Sequence, residues 1–219
     1  MIIIVVGMHR SGTSATAGLL HNNNIVMGEE KHFNPKPKAN QNPKGFFENR
    51  RFRDINDAIL KENGYRVKSF DPNIPKIKSV SKKLMNNMVD LIDEYNGKYK
   101  YWGFKDPRTC LTLHQWLGAL RHSKKSFNLL GQTKIVSVKR DAPSVVKSMM
   151  KRRNGAKEQL TKLCEIYYNK YLQSIYMFEK ENIEINFVDL CNNTQNTCNF
   201  KRGQNIYNNG CEETLHAQF

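Results

Sequence analysis

The eight residues from Gly7 to Ser14, Gly-Met-His-Arg-Ser-Gly-Thr-Ser, bring together the parts of an anion site. Glycines let a chain turn tightly and aim successive backbone N–H groups at a phosphate, and a helix amino terminus adds partial positive charge. The spacing is that of a Walker A loop, with a β-branched run before it and a helical segment after it. Ser11, Thr13 and Ser14 add hydroxyl donors. The plainer alternative is that the glycines only permit a strand-to-helix turn. One departure carries chemical weight. A nucleotide triphosphatase has Lys directly after the second glycine, where this chain has Thr13, and the nearest cation is Arg10. No strand ends in an obvious magnesium-binding Asp, so triphosphate chemistry lacks its standard parts. A sulfonate carries less charge than a phosphoryl group and can be handled by Arg, hydroxyls and amides without metal. The loop therefore points to sulfuryl transfer.

Two further places carry chemistry-bearing residues at strand ends. In Lys-Arg-Asp-Ala-Pro-Ser from Lys139, Arg140 leaves a strand, and Ser148 lies eight residues on in the next helix. A guanidinium and a hydroxyl so placed can converge on one phosphate. In Lys105-Asp106-Pro107-Arg108, Lys105 or Arg108 can face a sulfonate or an acidic acceptor, while an Asp106–Arg108 pair bracing the turn is the structural alternative.

MIIIVVGMHRSGTSATAGLL resembles the 5′-phosphosulfate loop of the sulfotransferases that use 3′-phosphoadenosine-5′-phosphosulfate (PAPS), especially their bacterial and viral-type members. The resemblance implies that Arg10, Ser11, Gly12, Thr13 and Ser14 hold the phosphosulfate. KIVSVKRDAPSVVKSMMKR resembles the family's second signature, which implies that Arg140 and Ser148 hold the 3′-phosphate. Asn42-Pro43-Lys44-Gly45-Phe46-Phe47-Glu48-Asn49 is similar to a stretch in bacterial-type members and implies Glu48 as the general base. Glu48 also lies near a predicted helix start, where a capping or dipole role competes. Asp54, Asp57 and Asp106 are rival bases, with His9 and His32 behind them. Gly103 to Arg108 looks like a fourth segment of the same subfamily. The implied catalytic set is Arg10, Glu48 and Lys105. PAPS is the implied co-substrate, released as 3′-phosphoadenosine-5′-phosphate (PAP), with no metal. The matches span residues 1 to 150 in order; beyond Val188 there is none, and the C-terminus is atypical for the family.

The elements that must position these residues follow from hydrophobic period. Ile2 to Val6 is a continuous apolar run, the mark of a strand buried on both faces. Strands also read over 99–105, 134–139 and 184–188. Helices read over 13–21, 48–61, around Leu84 to Ile92, through Trp116 and Leu120, after Arg140 with Pro143 at the first position, and over 156–181. Strands alternating with helices imply a three-layer αβα domain with a mainly parallel sheet over 1–190, P-loop in type, followed by an irregular tail over 191–219. Ligands of such sheets bind at the carboxyl ends of strands.

The chain has 35 Lys and Arg against 20 Asp and Glu, a formal net charge of +15. That field draws anions, and the irregular basic stretches at 28–44 and 63–79 suit an acidic acceptor such as a glycan or acidic peptide. No stretch approaches the ~20 apolar residues of a membrane span, and no export signal is seen, so a cytoplasmic setting with free thiols is expected. Cys110, Cys164, Cys191, Cys198 and Cys211 form no C-x-x-C pair. Three rivals remain: a P-loop nucleoside or small-molecule kinase, a basic nucleic-acid-binding module, and an inactive sulfotransferase-like binding protein. Against the second, basic residues are dispersed and aromatics fall mostly at core spacing.

Overall fold

The computed structural model describes residues 1–33, 45–67, 70–77, 80–123, 125, 127–151 and 156–189. The expected tail, the residues Asn42, Pro43 and Lys44, and parts of both basic stretches lie outside them. Four parallel strands form the sheet: β1 (Ile2–Val6), β2 (Trp102–Lys105), β3 (Thr133–Lys139) and β4 (Asn182–Asn186), in the order β2-β1-β3-β4. Pairing runs Ile2 opposite Trp102 and Thr133, and Ile135 opposite Asn182. The helices are α1 (Thr13–Asn22), α2 (Arg50–Glu62), α3 (Lys82–Lys98), α4 (Thr109–Arg121), α5 (Ala142–Met150) and α6 (Lys157–Met177).

All five β1 side chains are 0% exposed, as a central parallel strand requires. Their alternation divides the core. Ile2, Ile4 and Val6 face Phe52 of α2, Met88 and Tyr95 of α3, Leu113 and Trp116 of α4, Val145 of α5 and Leu163 of α6. Ile3 and Val5 face Ala17 and Leu20 of α1, together with Met27, Val136 and Val138. The three layers are therefore unequal, with the large aromatic core on one face. There Phe52 stacks on Phe104 at 4.3 Å and also contacts Tyr95, Trp102 and Trp116. These rings are packed as core, not spread as a stacking platform for bases.

Segment 25–27 flanks the outer edge of β2, where Val26 accepts from Gly103 and donates to Tyr101. Gly103 is obligatory in β2, since a Cβ there would collide with the Ile3 carbonyl. The sequence places the last strand at 184–188, but β4 begins two residues earlier, and α6 stops at Met177 rather than 181. Phe178 and Glu179 explain the early stop: Glu179 has a positive φ of 50°, which turns the chain into the strand. No helix among the described residues is long and apolar enough to cross a membrane.

Candidate functional site

Three turns leave the carboxyl ends of the adjacent strands β1, β2 and β3, and each carries residues singled out by the sequence. The first is the glycine loop. Arg10 has φ 69° and Gly12 φ 102°, so the chain makes two left-handed steps before α1. Gly7 is fixed by its surroundings, because a Cβ would meet the Val138 carbonyl at 2.6 Å and Thr13 Cγ2 at 2.8 Å. Its N–H donates to the thiol of Cys110 at 3.1 Å, at the start of α4. Gly12 is the N-cap of α1 and offers no side-chain cap, so the first-turn amides of Thr13 and Ser14 have no intrahelical partner. Ser11 and Thr13 are buried, and Ser14 is half-buried.

The second turn follows β2. The Lys105 side chain is 0% exposed, yet its ammonium donates to Glu48 Oε1 at 2.8 Å and to Ser14 Oγ at 3.1 Å. A residue from the neighbouring strand thus brings an ammonium to the loop that lacks its own Lys. Glu48 is brought there by the segment before α2. Phe47, at φ 48°, packs its ring against Gly18 of α1 and against His21 and Phe33. Any Cβ at position 18 would strike that ring at 2.8 Å. The cap of α2 is Asn49, whose side chain accepts from Arg51 N–H. The Glu48 carboxylate is directed instead to Lys105. Burial pushes the Glu48 carboxyl up, but the charge and hydrogen bond of Lys105 prevail and hold it below the ordinary carboxylate value, so it is ionised at neutral pH.

Beside this pair, Asp106 is fully buried. Its Oδ1 accepts from the Arg108 guanidinium at 2.8 Å and its Oδ2 from Asn56 at 2.9 Å. Arg108 also pairs with Asp57 at 2.7 Å. The bracing role for Asp106 and Arg108 is therefore present. Burial raises the Asp106 carboxyl even against Arg108.

The third turn follows β3. Asp141 caps α5 by accepting from Ser144 N–H, and Pro143 sits in its first turn. Ser148, on the second turn of α5, accepts from Arg10 Nε at 3.0 Å. Arg140 donates to the Arg10 carbonyl at 3.1 Å. The two candidate phosphate-binding sets thus meet at Arg10. Beyond Arg140 a cleft of about 570 Å³ opens between the ends of β3 and β4, lined among others by Cys164, Tyr168, Phe187 and Val188. The Arg140 guanidinium lies 4.1 Å from the Phe187 ring centroid.

No family model and no curated protein matches the chain. Among solved structures it is similar to the deoxyadenosine kinase from M. mycoides with bound dATP. The likeness has a TM-score of 0.41 and 11% sequence identity, over 91% of this chain and 100% of that one.

The rival bases sort by position. Asp54 is exposed and pairs with Arg53 beside it. Asp57 and Asp106 are both spoken for by Arg108. His32 closes the short 3-10 turn Glu30–His32. His9 lies within the site's field, edge-on to Phe70 and near Tyr167. Burial, then the charge of Arg108, lowers its pKa to about 3, so it is neutral at working pH. Sequence reading passed over Phe47, Asn49 and Asn56, which position Glu48 and the Lys105 turn. The only signal for Asn56 was an Asn on the apolar stripe of α2, beside Phe52 and Ile59.

Proposed function

We propose that this protein transfers the sulfonate group of PAPS to a hydroxyl or amine acceptor. The observation that carries the reading is the buried Lys105 ammonium, bonded at once to the candidate base and to the anion loop. PAPS would supply an activated sulfonate whose leaving group is the 5′-phosphate of PAP. The loop amides, Ser11, Thr13 and Ser14 would hold the phosphosulfate, and Arg140 with Ser148 the 3′-phosphate. The cleft beside Arg140 has room for a nucleoside.

Glu48 would take the acceptor's proton as the new O–S (or N–S) bond forms and the S–O bond to the phosphate breaks. Protonation removes the negative charge that Lys105 was neutralising. Its ammonium is then uncompensated beside Ser14 as negative charge builds on the departing oxygen. Arg10, whose guanidinium is bonded to Ser148 of α5, would add a second cation from the glycine loop. Preorganised donors of this kind are worth most where water is excluded, and Lys105 has no exposure. The positive field and basic stretches favour an acidic acceptor.

A P-loop kinase is the second reading, favoured by one observation. Asp106 directly follows β2, the strand next to β1, where an acid could hold a metal near the loop. Against it, Arg108 and Asn56 occupy both oxygens of that carboxylate, and Thr13 stands in place of the loop Lys.

Ligand-induced stabilisation separates the two. At a hundred times its dissociation constant a ligand adds about 2.7 kcal/mol. For a chain of this size that raises the melting temperature by several degrees. PAP is expected to give this shift and ATP with magnesium little or none. A shift with ATP and magnesium but none with PAP would reverse the assignment. Transfer of labelled sulfonate from PAPS to an acceptor panel then identifies the acceptor.

A further inference from the structure

Asn56 of α2 is wholly buried, and all of its hydrogen-bonding capacity is used. Its Nδ2 donates to Asp106 Oδ2 at 2.9 Å and to Thr109 Oγ1 at 3.0 Å. Its Oδ1 accepts from Thr112 Oγ1 at 2.6 Å and from Trp116 Nε1 at 2.7 Å. One carboxamide thus ties α2 to the turn after β2 and to the first three turns of α4. An apolar side chain would pack these helices without the cost of burying an amide. It would also leave Asp106 Oδ2 and the Trp116 indole N–H unpaired. A fully satisfied buried network of this kind specifies one arrangement rather than several.

What the arrangement fixes is visible at its two ends. Asn56 lies six residues into α2 from Arg50, about 9 Å at 1.5 Å per residue, and Glu48 lies just ahead of the N-cap Asn49. Lys105 is the residue before Asp106. The carboxamide therefore sets how far α2 advances along β2, and with it the 2.8 Å contact between Glu48 and Lys105. A slip of about 1 Å along the helix axis would carry that contact beyond hydrogen-bonding distance.

We propose that Asn56 is a positioning residue, whose carboxamide locks α2 onto the turn after β2 and so holds the Glu48 carboxylate on the Lys105 ammonium. The role in catalysis rests on Glu48 being the base. The positioning itself can be read without any nucleotide. Glu48 is faced by Lys105 and Arg108 from the β2 turn, by His9 from the glycine loop, and by buried Asp106. Lys105 is bonded to it at 2.8 Å.

The test is the titration midpoint of the Glu48 carboxyl carbon by ¹³C NMR, assigned by its loss in Glu48→Gln. In Asn56→Ser, a neutral change, the midpoint is expected to rise by at least one pH unit, a tenfold change in proton affinity. The near-isosteric Thr112→Val removes one bond to the carboxamide and is expected to raise it at least twofold; it decides the matter if Asn56→Ser does not fold. Leu163→Ala, a buried truncation in α6, should lower the melting temperature and leave the midpoint in place. A stationary midpoint in folded Asn56→Ser, or in Thr112→Val if that variant alone folds, overturns the proposal, as does an equal shift in Leu163→Ala. PAP stabilisation of the unmutated protein is scored separately. If PAP fails to bind while Asn56→Ser moves Glu48, the positioning stands and the PAPS reading falls.

Discussion

Replacing Lys105 by Met shortens the side chain by one atom and removes its charge. At 2.8 Å, with the effective dielectric of about 20 that suits protein sites, the attraction between unit charges is about 6 kcal/mol before desolvation is subtracted. Removing one member of a buried pair costs about 3–5 kcal/mol, because the other charge is left without compensation. At pH 7, Lys105→Met is therefore expected to lose about 3–5 kcal/mol, or roughly 6–20 °C in melting temperature. The pH dependence distinguishes this cause from lost packing. In the native protein the Glu48 carboxyl lies below its ordinary value of about 4.3, so the pair stabilises above that pH. That contribution fades as pH falls through the folded value. In Lys105→Met, burial is the largest influence left, and the Glu48 pKa rises above the ordinary value. The deficit of the variant should be greatest at neutral pH and shrink toward pH 4, because the uncompensated Glu48 of the variant takes up a proton before the native carboxyl does. Denaturant unfolding at pH 7 and pH 4 measures it. Adding Glu48→Gln to Lys105→Met should recover at least half of the loss at pH 7. A deficit below 1 kcal/mol, or one equal at both pH values, would refute the reasoning.

Arg10→Ala should reduce sulfonate transfer by about 10²–10³-fold, the usual loss for one preorganised donor, and should weaken PAPS binding. Near-normal transfer in the folded variant would remove Arg10 from the site. Glu48→Gln should lower turnover by about 10²–10⁴-fold with PAP affinity nearly unchanged, measured by single-turnover rate and thermal shift together. Stability lost with turnover retained would strike it from the chemistry. Arg140→Ala should erase the preference for PAP over AMP in a thermal-shift titration, with little loss of AMP affinity; equal weakening of both would void the 3′-phosphate assignment.

The sheet was legible because β1 is a short unbroken apolar run and β3 alternates. Ile2 to Val6 and the alternation up to Lys139 leave no other reading, and parallel pairing follows from helices between them. The glycine loop was legible because left-handed steps and close backbone approach leave a trace in residue type, as Gly7 and Gly12 do. The spacing of Arg140 and Ser148 placed them at a strand end and on the next helix, where each is bonded to Arg10. What the sequence could not supply was contact across elements. For Glu48 the sequence left a base and a capping or dipole role open; across elements, the cap is Asn49 and Lys105, 57 positions away, pairs with Glu48. Asn56 gives no local sign that four side chains distant in sequence converge on it. β4 was misplaced by two residues because it is an edge strand, half exposed, where the apolar signal is weak.

The substitution of Thr13 for the loop lysine has a consequence that reaches the rest of the site. A lysine within the loop would be solvated on one side and could stand alone. One delivered from β2 arrives through the core with no exposure, and a buried ammonium is tolerated only with a carboxylate close by. The cation and Glu48 are therefore a joint requirement: moving the charge from loop to strand obliges the segment before α2 to bring an acid. That segment is anchored by Phe47 on Gly18 at one end and by Asn49 and Asn56 at the other. An acid held there for electrostatic reasons shares the Lys105 ammonium with Ser14 of the glycine loop and is ionised at neutral pH, one condition that a general base must meet. The same requirement explains why three strands, not one loop, share the positive charge. Arg10, Lys105 and Arg140 each leave a different strand, and the hydrogen bonds to Ser14, to Ser148 and to the Arg10 carbonyl bring them together around one loop.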